Sequence, residues 1–314
     1  MILSFGKRGV TDEITQPKKT GAVMPKLTNR LGLVEALVNA AQNDPYSKGD
    51  ADISVTTLLK PMQAVVLEDA FADQITEDVA ERVWSLYGQI VHTILERANR
   101  SDDIVNERRL FMEIDGVRIS GSMDSFEVSG GVCRDFKFTT AYKFKNGLVD
   151  PEWEKQQNAY AQLLRANNFP VSKLEIVGLL RDHSKLEARR DAAYPQLPVS
   201  LMPIPLWPEE KTMAFLRGRV AEYKANKKAF AENRPLTPCT PEERWARPDV
   251  YAVMKEGRKT AVRLHDDAMS AQRHASELGA NHSVVKRPGE SVRCENYCAV
   301  KDFCPQYKRM KGEE

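Results

Sequence analysis

Long apolar runs are absent from this 314-residue chain, and no stretch approaches the length that a membrane span requires. Its first ten residues, MILSFGKRGV, lack the apolar centre of a secretory signal. These absences lead to the expectation of a cytoplasmic protein with no membrane partner. Excess charge is missing too: the formal net charge is +2, so bulk electrostatics announce no polyanion. No cysteine precedes Cys133, and the chain contains neither an internal repeat nor a low-complexity tract.

What is present is 42% hydrophobic and 29% charged residues, the balance of a globular protein. The length fits one large domain, or a catalytic domain with a smaller appendage. Basic residues come in local groups: Arg108-Arg109, Lys143 and Lys145, Arg217 and Arg219, and Lys224 with Lys227-Lys228. Such groups are either solvated faces or a track for a polyanion. Three of the five cysteines crowd together near the C-terminus. In a reducing compartment that crowding argues for metal or cluster ligation over disulfides.

The pattern along the chain predicts a short helical stretch near residues 31–41 and then a helix from Thr76 to about Asn99. Thr76 is the expected cap, Glu77 and Asp78 fill the first turn, and Val83, Tyr87, Ile90, Val91 and Ile94 form the apolar stripe. Strands are expected at 110–114 and 117–120, flanking the turn pair Asp115-Gly116. The second of these runs continues through Met123 to Val128, and Ser129-Gly130-Gly131 turns the chain into a strand at 132–138. A helix at 151–167 begins with Pro151, and an apolar strand follows at 174–180. The five prolines within 194–208 exclude regular structure there. A long basic helix is predicted for 208–231, and beyond Pro235 a small strand–strand–helix–strand unit leads to the cysteines.

Chemistry enters at the hairpin through Ser129-Gly130. If those two residues are the loop, Asp124 lies directly opposite Asp135, with Cβ atoms about 5 Å apart on one face. Lys137 projects from that same face by the strand period and supplies the positive charge that two close carboxylates need. A surface ion-pair ladder is the other reading of this pattern. His92 lies off the apolar stripe of its helix, one turn after Gly88, a residue that costs up to about 1 kcal/mol in a helix interior unless something must approach closely. Gln156 and Tyr160 share the apolar sector of the next helix, where an amide wants a buried partner.

In order, Gly88-x-x-x-His92, Gly121-Ser122-Met123-Asp124, Asp135-Phe136-Lys137 and Gln156-x-x-x-Tyr160 resemble the motif set of RecB-like nucleases of the PD-(D/E)XK type. That group includes the nuclease domains of AddAB helicase–nucleases and the CRISPR-associated adaptation nucleases. The resemblance covers about residues 80–180. It implies an α/β, restriction-endonuclease-like core at 76–234, with a helical N-terminal extension at 1–75 and a cysteine-bound C-terminal unit at 235–314. It further implies that His92, Asp124, Asp135 and the Phe136 carbonyl bind Mg²⁺ or Mn²⁺. Lys137 would then orient or activate water, while Gln156 and Tyr160 support the site and contact nucleic acid.

Cys294, Cys298 and Cys304 are similar to the C-terminal cysteines with which several of these nucleases hold a 4Fe–4S cluster. Here the first pair is spaced one residue wider than is common, and the N-terminal region offers no fourth ligand. The fourth ligand is then Cys239 or Cys133, and Cys239 is preferred because Cys133 would crowd the active site; Zn²⁺ is the competing occupant. The implied function is metal-dependent hydrolysis of DNA, as an exonuclease on single-stranded or unwound ends. By analogy its partners would be phage or bacterial recombination, replication or repair proteins. A non-catalytic nucleic-acid-binding adaptor and an RNA-directed nuclease are the alternatives.

Overall fold

Alternating buried residues in the middle of the chain build two sheets, and the computed structural model shows how they meet. It describes residues 25–42, 48–99 and 101–313; residues 1–24 and 43–47 of the expected N-terminal extension lie outside these. The chain begins with β1 (Lys26–Thr28), α1 (Glu35–Gln42), β2 (Ile53–Ser54), α2 (Val55–Leu58), α3 (Met62–Ala70), β3 (Thr76–Asp78) and α4 (Val83–Ala98). It continues through β4 (Ile104–Val105), β5 (Arg109–Ile114), β6 (Val117–Ser122), β7 (Ser125–Glu127), β8 (Val132–Thr139), α5 (Pro151–Ala166), β9 (Lys173–Leu180), α6 (Lys185–Arg190), β10 (Val199–Ile204) and α7 (Glu209–Ala231). The tail holds β11 (Val250–Lys255), β12 (Arg263–His265), α8 (Ala268–Leu278), β13 (His282–Arg287), α9 (Val292–Asn296) and α10 (Pro305–Lys311).

The larger sheet is mixed, in the order β10-β9-β8-β7-β4, and the second has the order β2-β6-β5. Parallel pairing of β8 with β9 requires a crossover, which α5 supplies. Asp150 caps α5 by accepting the Glu152 amide, with Pro151 at its first turn. Nine of its residues are buried, and it packs on strands of both sheets as well as on α7. The result is a mixed α/β fold around one principal hydrophobic core.

Residues before position 75 share that core. Ile53, Val55, Leu58 and Met62 belong to the same cluster as Phe126, Leu163 and Ile176. The N-terminal segment therefore supplies a strand and core side chains to the body of the protein. The tail likewise divides. A small core of Val253, Ala271 and Ala275 holds β11, β13 and α8 together. Val300 and Cys304 instead pack with Leu67 and Ile75, and Phe303 stacks on Phe71 at 4.5 Å.

Three local expectations also change. Thr76–Asp78 pairs in parallel with Lys26–Thr28 and does not begin a helix. A tertiary strand partner outweighs the local capping signal, and the cap passes to Asp78, which accepts the Ala80 amide. Pro203 sits inside β10, within the segment expected to be irregular. It is tolerated because β10 is the sheet's edge strand, where a missing N–H need not break the ladder. Finally, α4 buries no residue fully: Trp84, Tyr87, Ile90 and Ile94 of its apolar side are exposed.

Candidate active site

Two strand pairs switch sheets at the same level, and the candidate site lies at that switch. β6 ends at Ser122 in one sheet and β7 begins at Ser125 in the other, leaving Met123 and Asp124 at the crossing. On the partner path, β4 leaves the larger sheet and β5 enters the smaller one, with Glu107 between them. The pairings Val105↔Phe126 and Arg109↔Ser122 share one register, which sets Glu107 opposite Asp124. The Glu107 amide donates to the Met123 carbonyl at 3.0 Å, and its φ is +45°. The hairpin at Ser129-Gly130 has the expected register, with Ser125↔Arg134 and Glu127↔Val132. Carried one residue further, it sets Asp124 opposite Asp135. Glu107, Asp124 and Asp135 thus form a row across three neighbouring strand paths.

Cations bracket this row. His92 Nδ1 lies 3.3 Å from Asp124 Oδ1 and 3.4 Å from Glu107 Oε1. Held by Asp124 first and Glu107 second, the imidazole pKa is pushed up to about 10. At the other end, Lys137 Nζ is 2.8 Å from Asp135 Oδ2. Burial opposes the ammonium charge, but Asp135 and then Asp124 outweigh it and raise the lysine above its ordinary value. Burial, reinforced by Asp124, raises the Asp135 carboxyl against the pull of Lys137.

Gln156 resolves the question of the amide in an apolar sector. It donates to Asp135 Oδ1 at 3.1 Å and accepts from Lys137 Nζ at 3.1 Å, so α5 fixes both ends of that ion pair. Asp135 Oδ2 is buried and, beyond the ion pair, takes part in no hydrogen bond. Asp124 Oδ2 accepts the Phe136 amide at 2.6 Å, locking the carboxylate to the neighbouring strand. Tyr160 packs against Gly121, where a Cβ would come within 3.0 Å of its ring and 2.7 Å of Leu163. Glycine at 121 therefore lets α5 approach the strand that delivers Asp124.

His92, Glu107 and Asp124 offer ligand atoms all within 4.8 Å of one another, a group that could hold a metal ion. Glu107 is the member that reading the sequence missed. Its signal was the Asp115-Gly116 turn, whose register leads back to Glu107 opposite Asp124, across an interruption in the pairing that local sequence does not reveal.

The distant cysteines also converge. Cys239 is pushed up to about 12 by burial and then Glu243, with Cys304, Cys294 and Cys298 adding to the shift. Burial and then Cys304 raise Cys294, while burial is the main cause at Cys298, to which Cys294 and Cys304 add. Gln306 clamps the Cys239 backbone at both its amide and its carbonyl. Cys133 stands apart, fully buried beneath Asp135 and Asp124, which add to the burial that raises its thiol.

No family model and no curated protein matches the chain. Among solved structures it is similar to the protein SSO0001, with a TM-score of 0.48 and 14% identity over 86% of this chain and 94% of that one. A candidate exonuclease from Eubacterium rectale aligns with a TM-score of 0.29 and 11% identity over 52% of this chain and 62% of that one. No described helix is long and apolar enough to cross a membrane.

Proposed function

We propose that this protein is a divalent-metal-dependent nuclease on a restriction-endonuclease-like PD-(D/E)XK core, hydrolysing DNA as an exonuclease on single-stranded or unwound ends. The observation that carries the reading is the carboxylate row Glu107–Asp124–Asp135, bracketed by His92 and Lys137. The order α4, β5 to β8, α5, β9 supports the same core. Oxygen-rich donors with one imidazole suit Mg²⁺ or Mn²⁺, and the hairpin register sets Asp135 beside Asp124 in the row. Asp124, Asp135, His92 and the Phe136 carbonyl would hold the ion, joined by Glu107. When bound, it polarises a phosphoryl oxygen and lowers the pKa of water.

The chain's own residues supply the rest. Lys137, held beside Asp135, would orient or activate water and offset charge on the phosphate. Gln156 keeps the ammonium and Asp135 in register. The four converging cysteines are proposed to hold a 4Fe–4S cluster in a structural role. Zn²⁺ is the competing occupant, since four thiolates suit it equally well.

The test is cleavage of end-labelled single- and double-stranded DNA and RNA, with and without Mg²⁺ or Mn²⁺. Asp124→Ala and Asp135→Ala should each abolish hydrolysis while DNA binding persists, since most affinity comes from lysine and arginine contacts to phosphate. Undiminished hydrolysis by either variant would sink the assignment. Metal-independent binding without cleavage by the wild type would identify an adaptor, and cleavage of RNA alone an RNA-directed enzyme.

A further inference from the structure

Between α4 and the strands that deliver the carboxylates lies a cavity of about 540 Å³, bounded at one end by His92 and Glu107. Its size falls within the roughly 300–1,000 Å³ of sites that enclose one small molecule. From α4 it is lined by Ser85, Gln89 and Thr93, which bring two hydroxyls and an amide. Arg109 brings a positive charge, and Tyr160 an aromatic ring, to the other walls.

Gly88 explains the shape. It lines the cavity one turn before His92, and a Cβ built there meets nothing within 4 Å. The protein itself therefore has no packing reason for a glycine at this helix-interior position. Space reserved beside the proposed ion ligands, with hydroxyl and amide groups, a cation and a ring, matches phosphate, sugar and base in one ligand.

We infer that this cavity receives the terminal nucleotide of the strand, placing the ester bond behind it over Asp124 and Asp135. The inference rests on the nuclease reading above. Water would add its oxygen to phosphorus, the P–O bond to the adjoining sugar would break, and the water's proton would pass to the departing alkoxide. The products are a mononucleotide and a strand one residue shorter.

Thymidine 5′-monophosphate is titrated calorimetrically, in Mg²⁺, into wild type and Gly88→Leu, and hydrolysis of a labelled single strand is followed in parallel. The leucine fills the cavity, and its open surroundings with the better helix propensity mean the melting temperature should not fall. Expected are mononucleotide binding by the wild type, at least tenfold weaker binding by the variant, a tenfold or larger rise in KM, and mononucleotides as first products. Equal affinity of the two proteins for the nucleotide, or no binding by the wild type, overturns the cavity's role. So does an unchanged KM in a variant that still hydrolyses DNA. Nucleotide binding that Gly88→Leu abolishes, in a wild type that cleaves nothing, would uphold the cavity and reject the hydrolytic reading.

Discussion

His92 and Glu107 show how single residues are given roles by their neighbours. In isolation the histidine is an exposed group on a polar helix face; here it is held between the carboxylates of Asp124 and Glu107. Glu107→Gln keeps the shape but removes one of the charges facing it. Mn²⁺ affinity should then drop by at least the ~10–100-fold that loss of an outer-shell partner costs. Titration monitored by electron paramagnetic resonance measures this. Affinity equal to wild type would remove Glu107 from the ligand set and leave it as a brace for Ser122, whose hydroxyl it accepts at 3.3 Å. His92→Ala should weaken the same binding, with excess Mn²⁺ restoring part of the hydrolysis.

At the scale of elements, Asp78 joins β1 to the start of α4. Its carboxylate accepts from the Arg30 amide at 3.0 Å, Thr28 Oγ1 at 2.8 Å and the Ala80 amide at 3.1 Å. The Arg30 amide first, then Thr28, hold its pKa at about 2, against an ordinary 3.8. A depressed carboxyl stabilises the fold fully above its unfolded value and loses that stabilisation as pH falls through the folded one. Asp78→Ala should therefore lower the melting temperature at pH 5–7, and the gap from wild type should close between about pH 4 and pH 2. A pH-independent gap in scanning calorimetry would assign the loss to packing alone. The exposed side of α4 carries Arg181 over Trp84 at 4.1 Å and sets Tyr87 edge-on to Phe138 of β8.

For the whole molecule, the cysteine segment ties the C-terminal tail to α3 and the stretch before β3. Cys298 and Cys304 pack with Leu67 and Ile75, Gln63 donates to Cys304 Sγ at 3.0 Å, and Cys239 arrives from the loop after α7. Loss of the proposed metal centre should thus loosen α3 as well as the tail. Anaerobically purified protein is expected to contain iron and sulfide in equal amounts, and Cys294→Ala to lose both. Limited proteolysis of that variant should open sites near residues 62–75 as well as near 292–311. Stoichiometric zinc would refute the cluster and keep the ligands. Metal loss from Cys133→Ala with retention by Cys239→Ala would move the fourth ligand to Cys133.

Local sequence was sufficient wherever a short-range rule decides the outcome. Ser129-Gly130 set the hairpin register that opposes Asp124 to Asp135, strand alternation put Lys137 on the face of Asp135, and Asp150-Pro151 began α5. Such features depend on neighbours within a few residues. Tertiary structure alone decided that Glu107 completes the row, that Gln156 bridges Asp135 and Lys137, and that Thr76–Asp78 is a strand. It also decided that Pro203 lies in an edge strand and that the N-terminal segment shares the main core. Each depends on which distant segment lies alongside: a sheet switch, a crossing helix or an open edge. A long-range partner contributes burial and hydrogen bonds that outweigh the local preferences, typically below about 1 kcal/mol per residue, that patterns along the chain record.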